Sequence, residues 1–257
     1  MPKDHIRAVE IWTQAAARGS VEARYSHAVC LREGRGVSID AALALAKMRA
    51  LADAENYTLA HYATAIMLST GEGGEPDLEG AFHYFQKSAR GGITPALHNL
   101  ANAYASGLGV TADPTKALLY YEGAAEAGDP FAKFTLGTWL YHGRGGLQVD
   151  KVRAFQLQRE AAEAGHPGAM FNTGAALMEG VAVGKDLPGA AEWFEKAMGR
   201  NIVQAAVNLG NMHRHGEGVP RDLRKALEIF CSFAENEVCV QLALDTEQQM
   251  EEEGVLK

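Results

Sequence analysis

The side chains best suited to chemistry are few and scattered. His213 and His215 flank Arg214, and two imidazoles this close could begin a metal site. Residues two apart point in different directions on a helix, so His215 would have to lie on a turn with further ligands nearby. No His-Glu-x-x-His or paired Cys-x-x-Cys spacing accompanies them. Three cysteines, Cys30, Cys231 and Cys239, are too few in 257 residues for a disulfide scaffold. Gly-x-Gly pairs recur, but they follow helix-like segments rather than strands, so they read as helix punctuation and not as phosphate cradles. Carboxylates are plentiful, yet no spacing pairs two of them for general acid–base work. The expectation is therefore no catalytic residue, no metal and no cofactor.

The elements that hold these residues follow one period. An aspartate recurs at Asp4, Asp40, Asp77, Asp113, Asp150, Asp186 and Asp222, and an alanine follows each four residues later, from Ala8 and Ala44 to Ala226. A second alanine series runs Ala23, Ala60, Ala96, Ala132, Ala169 and Ala205. A glycine series runs Gly34, Gly71, Gly107, Gly143, Gly180 and Gly216, with a second glycine two residues on in every unit but one, where Ala182 stands. The turn at Ala182 is expected to differ locally. Each aspartate precedes an apolar pattern of helical period and is expected to cap that helix, accepting a hydrogen bond from an orphan backbone N–H. The helices end at Gly19, Asn56, Gly92, Gly128, Gly165 and Asn201, residue types that tolerate a left-handed backbone. A second helix follows and stops at the Gly-x-Gly turn. The alanines allow close helix crossings, and a unit this short buries its apolar face only by stacking on the next.

Composition agrees with a globular chain, 47% hydrophobic and 22% charged. A net charge of −8 with no basic run argues against nucleic acid. No stretch is long enough to span a bilayer, and no apolar signal core follows Met1-Pro2-Lys3, so a cytoplasmic location is expected.

The pattern resembles the Sel-one-like repeat (SLR) family, relatives of the tetratricopeptide repeats. The resemblance rests on Asn208-Leu209-Gly210, Gly216-Glu217-Gly218-Val219, Asp222-Leu223-Arg224-Lys225-Ala226, and the run from Asp113-Pro114-Thr115-Lys116-Ala117 to Ala124-Ala125-Glu126-Ala127-Gly128. It implies an all-α fold, a right-handed α-α superhelix or solenoid of about six and a half repeats. Residues 1–257 then form a single domain, with a half repeat at 4–19, repeats at 20–235, and a capping helix with an acidic tail at 236–257. Some secreted members staple helices with cysteines spaced like Cys231 and Cys239. Cys231 falls about one turn earlier than in those relatives, so free buried thiols are expected instead.

The resemblance also implies a concave groove lined by the first helix of each pair. On tetratricopeptide spacing its candidate partner-binding residues include Tyr62, His98, Asn102, Phe131, Phe134, Tyr141, Phe171, Asn211 and Arg214. At Tyr62, Phe134 and Phe171 an aromatic is typical of the repeat itself, so packing is the first reading there. Phe131, Tyr141, Asn102 and Asn211 depart more from the pattern and are the stronger candidates. The expected function is a non-enzymatic scaffold or adaptor of bacterial type, binding a peptide or protein segment. The alternatives are a hydrolase or small-molecule binder, and a self-assembling structural solenoid. The partner's identity and the oligomeric state stay open, with a monomer favoured.

Overall fold

The computed structural model describes residues 3–255; the sequence reading at Met1 and Pro2 and the end of the tail, Leu256 and Lys257, lie outside the described residues. These residues form fourteen helices and no strand. The chain divides into two compact units, Met1–Ala127 and Gly128–Lys257. The first holds α1 (Lys3–Ala17), α2 (Val21–Glu33), α3 (Ala41–Glu55), α4 (Thr58–Thr70), α5 (Leu78–Arg90), α6 (Thr94–Ser106) and α7 (Pro114–Glu126). The second holds α8 (Pro130–His142), α9 (Lys151–Glu163), α10 (Pro167–Glu179), α11 (Leu187–Met198), α12 (Val203–His215), α13 (Leu223–Cys231) and α14 (Glu237–Glu252). Within each unit every helix packs on its neighbour in sequence, the arrangement expected of stacked helix pairs.

Local chemistry explains the boundaries. Six of the seven aspartates are N-caps: Asp40, Asp77, Asp113, Asp150, Asp186 and Asp222 accept from the backbone N–H three residues on, at 2.8–3.1 Å. Such a bond satisfies one of the donors that a helix start leaves open. Asp4 corrects the series. It lies inside the first turn of α1, which begins at Lys3, so it is a helical residue whose charge sits near the positive helix end and not the N-cap. The residues expected in left-handed conformation all adopt it, including Asn56 and Asn201.

The turn at Ala182 does not differ. Ala182 takes a φ of 68°, the region occupied by Gly36, Gly73, Gly109 and Gly218 in the corresponding turns. The same hydrogen bonds close it: Gly180 and Val181 donate to Ala176, and Asp186 donates to Leu177, as Gly216 and Glu217 donate to Met212 and Asp222 to His213. The hydrogen-bonded frame thus overrides the side chain's preference, which runs against left-handed backbone by about 1–2 kcal/mol. Replacing Ala182 by glycine should relieve that strain. The expected gain is about 1 kcal/mol, read as a rise of about 2–4 °C in the melting temperature by circular dichroism.

The core is thin and alanine-rich. Ala60, Ala96, Ala132, Ala169 and Ala205 are fully buried, as are Ala44, Ala117, Ala190 and Ala226. Large side chains fill the gaps between them, chiefly Met48, Phe85, Tyr121, Phe194 and Phe230. α14 closes the second unit: Phe230 and Ala226 on α13 pack with Ala243.

Candidate functional site

The nine candidate residues fall on α4, α6, α8, α10 and α12 and divide between the two compact units. In the first unit, Tyr62 on α4 is half-buried, its ring edge-on to Phe85 at 6.0 Å. Asn99 donates to its hydroxyl at 3.5 Å. On α6, His98 lies edge-on to Tyr121 at 5.9 Å, and Asn102 accepts a hydrogen bond from the Tyr121 hydroxyl. Burial pushes that phenol up to about 12, so it remains a donor over the whole physiological range. Asn102 therefore anchors a core tyrosine.

The second unit is different. α8 carries Phe131, Phe134 and Tyr141. His166, buried, caps α10 by accepting from the N–H of Ala169 at 3.1 Å. Its ring stacks on Phe134 at 4.3 Å, and Phe131 meets it edge-on at 4.7 Å. Phe134 is held by this stack, whereas Phe131 remains 54% exposed. Tyr141 sits ten residues further along α8, about 15 Å away at 1.5 Å per residue. It is 38% exposed, with the Lys151 ammonium 5.2 Å from its ring centre. Phe171 on α10 packs on Phe194 at 5.8 Å. Asn211 on α12 is partly buried. Arg214 donates from Nε to Gln249 at 2.8 Å and from Nη2 to the Asp245 carbonyl at 3.5 Å, so α14 engages its guanidinium.

Beside Tyr141 lies an opening of about 220 Å³, enclosed by α8, α9 and α10. Thr138 and Tyr141 come from α8, Lys151, Ala154, Phe155 and Gln158 from α9, and Asn172, Ala175 and Glu179 from α10; Ala182 closes the end. At its floor, Gln158 is only 7% exposed. Its amide donates to the Phe134 carbonyl and to the Thr138 hydroxyl, each at 3.1 Å. The Thr138 hydroxyl donates in turn to the Phe134 carbonyl at 3.0 Å.

The sequence reading selected Tyr141 but missed Gln158, Asn172 and Lys151. A signal was present. The eighth residue after each repeated aspartate is Trp12, Met48, Phe85, Tyr121, Gln158, Phe194 and Phe230. Six are large and apolar or aromatic, and the fifth is an amide. The opening adjoins this replacement.

Nucleophilic chemistry finds little support here. Thr138 is engaged at both its donor and acceptor sides. Cys30 and Cys239 are buried, and burial pushes both thiols up, away from the reactive thiolate. Cys231 is free as expected but exposed, not buried. It ends α13 on the side facing solvent, while Phe230 takes the core position. Among the described residues no group of three or more histidine, cysteine or acidic side chains converges on a metal-sized site. His213 is buried with Nδ1 3.4 Å from the Pro220 carbonyl, whereas His215 is exposed.

The repeat geometry has clear relatives. The Sel1 repeat pattern matches seven segments: residues 1–20, 21–46, 58–93, 94–129, 130–166, 167–197 and 203–237. The chain belongs to the Sel1 repeat family. A Sel1 repeat protein from Oxalobacter formigenes is 32% identical, with a TM-score of 0.82 over 90% of this chain and 67% of its own. A protective antigen of uropathogenic Escherichia coli, described as displaying an SLR fold, is 24% identical with a TM-score of 0.82, covering 96% of this chain and 56% of its own. That second likeness concerns the fold alone. Chitin synthase regulatory factor 2 of Schizosaccharomyces pombe is 37% identical over 130 residues, 49% of this chain and 25% of that protein. The Sel1 repeat chain thus spans about a quarter of that curated relative. Among the described residues no helix is long and apolar enough to cross a membrane.

Proposed function

We propose that this Sel1 repeat chain is a non-enzymatic binding module that holds a segment of another protein against the α8–α10 face of its second unit. The observation that carries the reading is the pair of exposed rings on α8. Phe131 and Tyr141 stand 54% and 38% exposed on a helix whose other large hydrophobic side chains are buried or partly buried. Exposed aromatics beside polar groups are typical anchors of protein interfaces. The fungal relative named as a chitin synthase regulatory factor supports a regulatory role, and the match of the repeat pattern to most of the chain supports a repeat module. Asn102 and Arg214 fit the reading less well, because Tyr121 and α14 already engage them.

The test uses the full chain as bait. Proteins captured by the wild type are compared with those captured by a Phe131→Ala/Tyr141→Ala variant, and the best candidate is then purified and titrated. Each truncation should weaken the purified complex about tenfold, the size of an ordinary anchor contribution. Both chains should melt alike, since exposed side chains contribute little to folding. A purified complex whose affinity is indifferent to both residues would remove this face as the binding surface.

A further inference from the structure

Four other core positions of the same register in the repeat show what is missing at Gln158. Phe85, Tyr121, Phe194 and Phe230 each bury a ring there. Phe194 and Phe230 press on Gly174 and Gly210 of the facing helix, and Gln158 lies against Gly137 in the same way. An amide is smaller than the ring it replaces, and α8, α9 and α10 enclose the opening beside it.

The polarity of the floor is one-sided. Both amide hydrogens of Gln158 are donated, to Phe134 and to Thr138. The carbonyl at Phe134 accepts only, so the Gln158 nitrogen must face it, which leaves the Gln158 oxygen on the side of Asn172, a residue that also lines the opening. That oxygen receives one long contact, from Asn172 Nδ2 at 3.4 Å. Because the Asn172 nitrogen turns toward Gln158, its own oxygen is left as an acceptor, and no described residue donates to it. Glu179 adds a carboxylate to the lining. The apolar walls are Tyr141, Phe155, Ala154 and Ala175, while His142 and Lys151 line the opening on the Tyr141 side, the Lys151 ammonium held 5.2 Å from the Tyr141 ring centre. An acceptor-rich floor under apolar walls selects a flat apolar guest that carries a donor at one edge. A guest without the donor leaves these acceptors desolvated and unpaired.

We infer that the α8–α9–α10 opening is a pocket for one donor-bearing aromatic side chain of the bound segment, a phenol or an indole, inserted where the repeat lacks a ring of its own. This rests on the proposed binding face and names its specificity pocket. The ring stands against Tyr141 and Phe155, and its O–H or N–H donates to Gln158 Oε1 or Asn172 Oδ1.

The probes are N-acetyl-tyrosinamide and N-acetyl-phenylalaninamide, titrated into the ¹⁵N-labelled full chain. The side-chain amide signals of Gln158 and Asn172 are followed. The tyrosine probe should shift both signals saturably, and the phenylalanine probe should bind about tenfold more weakly or worse. The Gln158→Phe variant supplies the missing ring, so it should melt at or above the wild-type temperature and lose the shift at Asn172. Should that variant not fold, Asn172→Leu keeps the space and removes an acceptor, and the advantage of tyrosine over phenylalanine should shrink toward parity. Equal binding of the two probes, no saturable shift with tyrosine, or an unchanged tyrosine preference in Asn172→Leu overturns the inference. These titrations need no partner protein. Their failure therefore leaves the capture result at Phe131 and Tyr141 standing, and a failed capture leaves the titration standing.

Discussion

Replacing Phe194 by alanine should destabilise the second unit by about 4 kcal/mol, within the range of about 3–5 kcal/mol measured for buried phenylalanines. The ring has no exposed surface and lies in a core made with Ala161, Ala162, Ala169, Met170, Ala190 and Leu209. Its edge faces Gly174, where a Cβ would come within 2.8 Å of it. Relaxation into the cavity is limited, because many of the buried residues of this core are alanines, whose side chains cannot extend. The loss should therefore fall in the upper half of the range. Urea unfolding followed by circular dichroism reads it as a lower midpoint. Hydrogen exchange should place the opened amides mainly in α10 to α12, since a stacked repeat couples chiefly to its neighbours. By contrast, Phe131→Ala should leave the midpoint within about 0.5 kcal/mol. The two phenylalanines thus separate what holds the fold from what the proposed binding face exposes. A Phe194→Ala chain as stable as the wild type would mean that the ring is not the packing element of its unit.

Much of this fold was legible because its signals are local. An aspartate cap acts on the N–H three residues on, and a left-handed helix end is set by one residue. Both show in sequence once the period is found. The exception at Asp4 has a local cause too, since α1 begins one residue before it and makes it a helical residue, not the N-cap. The site was less legible. Tyr141 and Phe131 depart from the repeat pattern, but their exposure depends on neighbours such as His166, which stacks on Phe134 and meets Phe131 edge-on. Asn102 looked like a groove amide, yet its partner is Tyr121 on the next helix, a contact that no spacing rule along α6 contains. Arg214 was likewise read along its own helix, while α14 engages it across the stack. Gln158 was missed although its signal lay in one column of the repeat. The expectation there was for the aromatic-and-alanine stripe as a whole, and a single polar member does not break the stripe's period. At Ala182 the residue type alone predicts a different turn, whereas the backbone hydrogen bonds that close the turn hold it in the common form.

Those turns carry the second large effect. Changing Gly109 to alanine should cost about 3 kcal/mol or more. Two penalties combine. The residue holds a φ of 71°, where an alanine is disfavoured by about 1–2 kcal/mol. A Cβ at this position would also be driven into the carbonyl group of Leu78 at the start of α5. Leu78 belongs to a capped helix start, with Asp77 bonded to Gly80, so that carbonyl cannot retreat without disturbing the cap. Overpacking against backbone adds about 1–3 kcal/mol. Ala182 shows which of the two penalties a turn can absorb. It has the same left-handed backbone and keeps every closing hydrogen bond. Its side chain, however, lines the opening beside α9, so it borders open space. The backbone strain alone is thus tolerated, and close approach to the preceding helix start is what demands glycine. Gly109→Ala should therefore lower the urea midpoint by clearly more than the gain expected from Ala182→Gly. Equal and opposite effects would instead assign the whole requirement to backbone conformation. In that case the helix start at Leu78 would have to be free to move, and hydrogen exchange at the first turn of α5 would be as fast as in the exposed turns.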